Sequence, residues 1–488
     1  MNLDSDVCYK ALRARDARFD GRFFVAVSST RIYCRPVCTV KPPRRENCRF
    51  FPSAAAAEAG GYRPCLRCRP ELAPGNSSVD ATTRLAQAAA SLIEDGTLQE
   101  GGLDDLAARL NITDRHLRRA FGSEFGVSPV EFAQTQRLLL AKRLLTDTAL
   151  PVTEVVFASG FGSVRRFNAL FKERYRLKPG QLRRQQRGGI AASTDVLEFE
   201  LSFRPPFHWA AMTAFLGARA IAGVEAVESG RYRRTVRISA DDKEHSGWIE
   251  VALSPRKPTV GVTVSASLAK VLPTVLSRVK ALMDLGCHPA EVAQTLGVLA
   301  KRHPGLRVPG AFDGFEMAVR AILGQQVTVA GASTLAGRFA SRFGDAVEAP
   351  FATLRTLFPT AERVASLTAG EVGKVGLPGA RARTVVALAR AVADGYLGLA
   401  PNADIETALE RLRELPGVGE WTAQYIAMRA LAWPDAFPHA DLGIMKALGE
   451  KDARRVLAAG EAWRPWRAYA VMHLWQSSGV AKSDFRRR

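Results

Sequence analysis

The sequence predicts a multidomain chain, mainly α with α+β parts, and three observations carry that prediction. Six of the seven cysteines fall in the first 68 of 488 residues. A helical pattern between about 80 and 185 echoes itself at an offset of 50 residues. After a further break the pattern is strand-rich to about 303 and helical from 304 onward. At roughly 100–200 residues per domain, this length holds three or four cores. The breaks divide it into 1–78, 79–190, 191–303 and 304–488, with "LAPGNSSV" (72–79) and "RGGIAAST" (187–194) as linkers.

Charge narrows the function classes. The formal net charge is +20 with a pI near 10.1, which points to a polyanion, nucleic acid above all. The excess runs through all three of 1–78 (14 basic, 7 acidic), 79–190 (17, 12) and 191–488 (37, 29), so a generally basic surface is the competing reading. The start "MNLDSDVCYK" lacks an apolar signal region and no run of about 18 apolar residues occurs, so a cytoplasmic, reducing setting is expected.

In such a setting clustered cysteines read as metal ligands or reactive thiols before disulfides. Cys34-x3-Cys38, a gap of 26 residues, and Cys65-x2-Cys68 are two close pairs that can close one tetrahedral thiolate site, and such a site favours zinc. Cys8 and Cys48 fall outside the spacing and read as small buried apolar residues. A structural clip is the plain reading of the four. Arg31, Arg35, Lys41, Arg44, Arg45, Arg63, Arg67 and Arg69 offer another, since they can draw a phosphate backbone to the metal. A metal-bound thiolate stays deprotonated at neutral pH and can attack carbon.

"FFVAVSSTRIYCRPVCTVKPPRRENCRFF" and "GYRPCLRCRPE" resemble the N-terminal domain of the Ada adaptive-response proteins, over about the first 70 residues. That resemblance implies a small zinc-binding α+β domain in which Cys34 takes a methyl group from a DNA phosphotriester. Cys38, Cys65 and Cys68 then complete the site around one zinc ion. The second methyltransferase active site usual in Ada, Pro-Cys-His-Arg, does not occur.

In the repeat, "HLRRAFGSEFGVSP" (116–129) aligns with "RFNALFKERYRLKP" (166–179), pairing Phe121 with Phe171, Phe125 with Tyr175 and Pro129 with Pro179. Each copy has a short helical pattern, a turn, and a second helix opening with polar and basic residues, which is the helix-turn-helix arrangement. The region resembles the all-α, double helix-turn-helix DNA-binding domain of AraC-type regulators. The resemblance places Thr113, Arg115, His116 and Arg119, and Ser163, Arg165, Arg166 and Asn168, at the DNA. Arginine can bind guanine bidentately, and serine and threonine often touch phosphate.

Strands are expected at "VLEFELSF", "RTVRIS", "GWIEVAL" and "TVGVTVS", with a helix over "LPTVLSRVKALMDL"; no chemical constellation stands out there. Farther on, "LPGVGEWTAQYIAMRAL" (415–431) follows a helical segment and opens another. Gly417 and Gly419 permit a tight hairpin whose amides can approach a phosphate. Asp441 lies 22 residues past Gly419 near another helix start, where it is either an N-cap or a carboxylate beside a sugar cation. Trp421 and Tyr425 share a helix face, and Trp475 can add a flat wall for a flipped base.

"GFEMAVRAILGQQVTVAGAS" (314–333), the hairpin, Asp441 and "WRPWRAYAVMHLW" together resemble the AlkA-type 3-methyladenine DNA glycosylases of the helix-hairpin-helix superfamily. The resemblance implies an all-α glycosylase domain from 304 and a TATA-binding-protein-like α+β domain over 191–303. It assigns Asp441 as the catalytic aspartate and Trp421, Tyr425 and Trp475 as pocket aromatics. The wedge position, often Leu in the family, falls on Gln326. Trp421 stands where lyase members carry their Schiff-base lysine, so monofunctional hydrolysis without β-elimination is expected. No cysteine follows Cys287, so no iron–sulfur cluster is expected.

The whole then implies a chain that accepts methyl groups from DNA, activates transcription and excises alkylated bases. Its implied partners are damaged and promoter double-stranded DNA and RNA polymerase, as a monomer at the nucleoid. The rival reading is a transcription factor whose carboxyl half grips DNA without catalysis.

Overall fold

The computed structural model describes residues 4–74, 81–94, 96, 98, 102–110, 112–148, 150–186, 195–240, 243–401 and 403–477. The expected linker 187–194 and most of 72–79 lie outside them.

The first unit is a four-stranded sheet in the order β3 (Cys48–Phe51), β1 (Phe24–Val27), β2 (Ile32–Cys34), β4 (Arg63–Pro64). β1 runs antiparallel to both of its neighbours, while β4 joins β2 in parallel. The helix Ser5–Ala14 starts on the Asp4 cap and buries Cys8, Ala11 and Leu12 in a cluster with Phe23, Val25 and Cys48. Cys8 and Cys48 are thus core residues, as the sequence suggests.

The repeat folds as two copies of one unit. Leu103–Arg109 and Asp114–Phe125 form the first pair of helices, and Val152–Ala158 and Val164–Tyr175 the second, joined by the long helix Pro129–Asp147. Thr113 and Ser163 cap the second helix of each pair, and Gly126 and Arg176 end those helices in the left-handed conformation. The 50-residue offset therefore preserves caps as well as the apolar stripe. Phe121, Phe125 and Phe132 pack ring against ring, tilted or edge-on, in one unit, and Phe161, Phe167, Phe171 and Tyr175 do so in the other.

Next comes an antiparallel five-stranded sheet, β5 (Val196–Ser202), β9 (Thr259–Ser265), β8 (Lys243–Leu253), β7 (Arg231–Ala240), β6 (Glu225–Glu228). All four expected strands are present, together with the short edge strand β6, which "EAVE" does not announce. The helix Trp209–Ala218 packs on β6 and β7, and Leu272–Leu282 follows β9. The buried face of this sheet shares one core with Leu138–Leu182 of the second helix-turn-helix unit. Arg143 crosses between them: its guanidinium donates to the Glu200 carbonyl at 2.6 Å and lies over the Phe199 ring at 4.8 Å.

From 314 onward helices dominate, and the largest core gathers side chains from Phe215 to Trp475. Glu420–Arg429 sits inside it, packed against Gly314–Leu323 and Ile405–Glu414. Among the described residues, no helix is long and apolar enough to cross a membrane.

Candidate active site and metal centre

The parallel pairing of β2 with β4 explains the cysteine cluster. The Cys65 amide donates to the Tyr33 carbonyl at 3.0 Å, which sets the end of β4 beside the end of β2. The Sγ atoms of Cys34, Cys38, Cys65 and Cys68 consequently lie within 4.8 Å of one another. Backbone amides of Arg35 and Arg67 donate to Cys68 and Cys65 sulfur, each at 3.4 Å. Four converging sulfurs supported by N–H donors suit zinc, whose Zn–S bonds are about 2.3 Å. Cys34, the expected acceptor, is 7% exposed; Cys68 is the most open of the four.

The basic setting needs correcting. Arg35 is buried and paired with Asp20, and it also donates to the Cys68 carbonyl at 3.3 Å. Arg69 is spent on Glu71 and Asp147. These two shape the site rather than reach outward, because each guanidinium is held by a carboxylate. Exposed arginines or lysines remain at Arg31, Lys41, Arg44 and Arg67.

A polar junction ties this unit to the repeat. Glu58 is buried, and its carboxylate accepts from Tyr33 Oη at 3.0 Å and Thr135 Oγ1 at 3.3 Å, while Arg174 donates to its carbonyl at 3.0 Å. Burial pushes the Glu58 carboxyl up to about 7.

Thr113, Arg115, His116, Arg119, Ser163, Arg165, Arg166 and Asn168 are all exposed, at or near the starts of the two second helices. The Thr113 and Ser163 hydroxyls accept from the amides of His116 and Arg166, at 3.3 and 3.4 Å. Arg119 Nη2 lies 3.2 Å from His116 Nδ1.

The hairpin is built on Gly417, whose φ of +83° and whose clearance of 2.6 Å between a would-be Cβ and Thr384 Oγ1 leave no room for a side chain. Gly419 is different: it is the extended N-cap of Glu420–Arg429, and open space surrounds it. Gln325 bonds the Gly417 carbonyl at 2.9 Å and Thr422 Oγ1 at 3.0 Å. That leaves Gln326 exposed beside it, at a φ of +55°.

Behind the hairpin is a cavity of about 230 Å³ lined by Trp421, Tyr425, Asp441 and Trp475. Trp421 and Tyr425 stack at 5.3 Å and 8°; Tyr425 meets Trp475 at 6.3 Å and 51°. Asp441 is both an N-cap and a pocket residue. Its Oδ1 accepts from the amides of Gly443 (2.9 Å) and Ile444 (3.1 Å) and from Trp475 Nε1 (2.8 Å), and its Oδ2 from Trp421 Nε1 (3.0 Å). The aromatic walls thus also fix the carboxylate. Such an arrangement can stabilise a sugar cation while a flat base is held by stacking.

The sheet domain is not chemically silent, contrary to the sequence reading. Arg219 lines the same cavity, and Phe215 stacks on the outer face of Trp475 at 6.3 Å and 17°. Arg320 and Val327 also line it, and Arg429 donates to Tyr425 Oη at 3.0 Å. The i,i+4 pair Phe215–Arg219 reads in sequence as ordinary helix patterning; only its placement against Trp475 marks it.

Four family descriptions match the chain in order: "Metal binding domain of Ada" at 7–71, "Helix-turn-helix domain" at 106–185, "AlkA N-terminal domain" at 198–313 and "HhH-GPD superfamily base excision DNA repair protein" at 319–453. A Mycobacterium tuberculosis protein named "Probable bifunctional transcriptional activator/DNA repair enzyme AlkA" is 39% identical over 97% of both chains. "DNA-3-methyladenine glycosylase 2" of Escherichia coli is 35% identical over 58% of this chain and 98% of its own. Among solved structures, a 3-methyladenine DNA-glycosylase from Archaeoglobus fulgidus aligns over 57% of this chain and 98% of its own, with 23% identity and a TM-score of 0.49. With near-full-length identity to the mycobacterial protein and all four segments in place, the chain belongs to the family of fused Ada-type and AlkA-type proteins.

Proposed function

We propose that this is an alkylation-response protein that takes methyl groups from DNA phosphotriesters, activates transcription and excises alkylated bases of the 3-methyladenine class as a monofunctional glycosylase. The observation that carries the reading is Asp441, held at the cavity by the indoles of Trp421 and Trp475, in a chain that also holds the four-sulfur cluster. Four domains, 1–78, 79–190, 191–303 and 304–488, divide the work.

On the glycosylase side, Gly417 and Gly419 present the hairpin amides to phosphate, and Gln326 fills the gap left by the extruded base. Trp421, Tyr425 and Trp475 hold that base. The C1′–N bond breaks, Asp441 stabilises the sugar cation, and water adds at C1′. Trp421 has no amine, so no imine forms.

On the regulatory side, zinc bound by Cys34, Cys38, Cys65 and Cys68 would keep the thiolates deprotonated. Cys34 sulfur bonds to the methyl carbon as the methyl C–O bond breaks, and the phosphate leaves as a diester anion. Cys34 ends as a thioether with one negative charge fewer at the centre. That weakens repulsion of the DNA backbone, an effect of about 1 kcal/mol per unit charge near the surface. Nothing in the sequence offers to reverse a thioether, so the event is stoichiometric. The eight exposed helix-start residues then grip promoter DNA, and RNA polymerase is the partner of the activated form. We place the protein in the cytoplasm, at the nucleoid, as a monomer without an iron–sulfur cluster.

The test is release of free base from alkylated duplex, with borohydride added to trap any imine; release without a trapped adduct is expected. A duplex left intact sinks the enzyme reading in favour of a non-catalytic DNA grip. In parallel, mass spectrometry after exposure to methyl-phosphotriester DNA should find the methyl on Cys34. A methyl on the more exposed Cys68 would reassign the acceptor.

A further inference from the structure

We propose that Tyr425 is a second catalytic residue of the pocket: its hydroxyl, aimed by Arg219 and Arg429, donates a hydrogen bond to the departing base and so assists bases that leave as anions. This rests on the glycosylase reading above and adds a leaving-group contact to it.

The Tyr425 oxygen faces guanidiniums. Arg429 Nη1 donates to it at 3.0 Å, and the Arg219 guanidinium, which lines the same cavity, acts on it electrostatically. A phenol oxygen has two lone pairs and one proton, and a guanidinium can only donate. Arg429 can therefore only occupy a lone pair, and the O–H needs an acceptor of its own. Among the described residues no hydrogen bond gives it an acceptor, and Tyr425 lines the cavity. A ring stacked flat on Trp421 cannot swing away from that position without losing the stack.

The arginines are themselves unusual. Arg320, next to them, is paired with Glu225 at 2.8 Å and Glu316 at 3.3 Å. Among the described residues, Arg219 and Arg429 form no ion pair with any carboxylate. Arg429 is buried and otherwise meets the carbonyls of Pro309 and Gly310; Arg219 lies over the Phe215 ring at 3.8 Å. Two guanidiniums without carboxylates are costly in a wall of the protein. Their common neighbour is the phenol. Burial works against its ionisation, but Arg429, Arg219 and Arg320 outweigh burial and hold the phenol below its usual pKa. A more acidic O–H is a stronger hydrogen-bond donor.

The chemistry then separates two substrate classes. When the C1′–N bond breaks, its electron pair stays with the base. A purine alkylated at N3 or N7 enters as a cation and leaves neutral, so the donor has little to stabilise. A neutral base leaves as an anion, which the Tyr425 hydrogen bond stabilises. Water supplies the new C1′ oxygen in both cases, and its proton ends on the base in the second and in solvent in the first. Asp441 acts on the sugar and serves both classes, whereas Tyr425 acts on the base and serves one.

The experiment compares single-turnover release of 7-methylguanine, cationic in DNA, and hypoxanthine, neutral in DNA, by the zinc-loaded full chain. The wild type should release both. Tyr425→Phe keeps the stacking ring and should slow hypoxanthine release by about 10²-fold, the scale of losing one acid–base contact. Methylguanine release should fall far less, so that the ratio of the two rates shifts by about 10-fold or more. Arg219→Gln, which removes a positioning residue, should shift the ratio of the two rates in the same sense by about 10-fold. Mere disturbance of the pocket would slow both bases alike. An equal fall for both in Tyr425→Phe, or a wild type that releases methylguanine and no hypoxanthine, overturns the proposal. Release of neither base overturns the glycosylase reading and takes this inference with it.

Discussion

The sulfur cluster takes all its sulfurs from residues 34 to 68, while the base pocket gathers side chains from Arg219 to Trp475. In the first, one strand pairing is nearly sufficient: once β4 lies parallel to β2, Cys65 stands beside Cys34, and the two short spacings deliver Cys38 and Cys68. In the second, a sheet domain, a hairpin helix, a loop and the helix Arg467–Ser477 must all dock before the carboxylate has its indole donors. A metal cluster tolerates local assembly because the ion supplies the remaining order. An aromatic cavity has no such organiser and depends on tertiary packing. The two centres also spend their anions differently. On the proposed chemistry a cysteine sulfur is consumed by its methyl, whereas the Asp441 carboxylate is unchanged by each turnover.

Four measurements break or sharpen this contrast. The largest effect is expected at the cluster. Cys65→Ala with Cys68→Ala should abolish the one zinc per chain by elemental analysis while base release stays near wild type. A retained zinc stoichiometry would remove these ligands from the assignment. Next, Asp441→Asn should lower base release by about 10²-fold or more, the scale of removing a preorganised electrostatic stabiliser, and leave zinc content unchanged. Near-normal release from that variant would mean that the carboxylate is only a helix cap.

Glu58 probes the junction. Its folded pKa, about 7, lies above the usual carboxylate value, so the folded state binds the proton more tightly than the unfolded one. The penalty is absent below the unfolded pKa, grows as pH rises toward about 7, and is complete above it. Glu58→Gln should therefore stabilise the first unfolding transition of the full chain by about 2–3 kcal/mol at pH 8 and hardly at all at pH 4, given about 1.4 kcal/mol per pKa unit. A gain at pH 4 equal to that at pH 8 would refute the titration. Smallest, Gly417→Ala should cost about 1–2 kcal/mol in the glycosylase transition, because the left-handed φ and the nearby Thr384 hydroxyl both oppose a Cβ. Gly419→Ala, at an extended residue in open space, should cost less. Equal costs would mean that the hairpin conformation is not what Gly417 supplies.

The sequence by itself determined what depends on short spacing and period: the four clustered cysteines, the 50-residue duplication, four of the five sheet strands, and Trp421 and Tyr425 on one helical face. Those signals are local, since a helix or strand repeats its own geometry along the chain. Tertiary structure decided the rest. Arg35 and Arg69 read as phosphate-seeking cations until burial beside Asp20, Glu71 and Asp147 turns them inward. Arg219, in a domain that looked chemically empty, enters the wall of a pocket whose other members all come from Met317 onward, and Phe215 of the same helix stacks on Trp475. Asp441 looked like either a cap or a catalytic group, and its two oxygens make it a helix cap that is also held in the pocket by an indole. Charge pairing, burial and the meeting of distant walls belong to packing, and no periodicity along the chain encodes which distant residue will stand opposite.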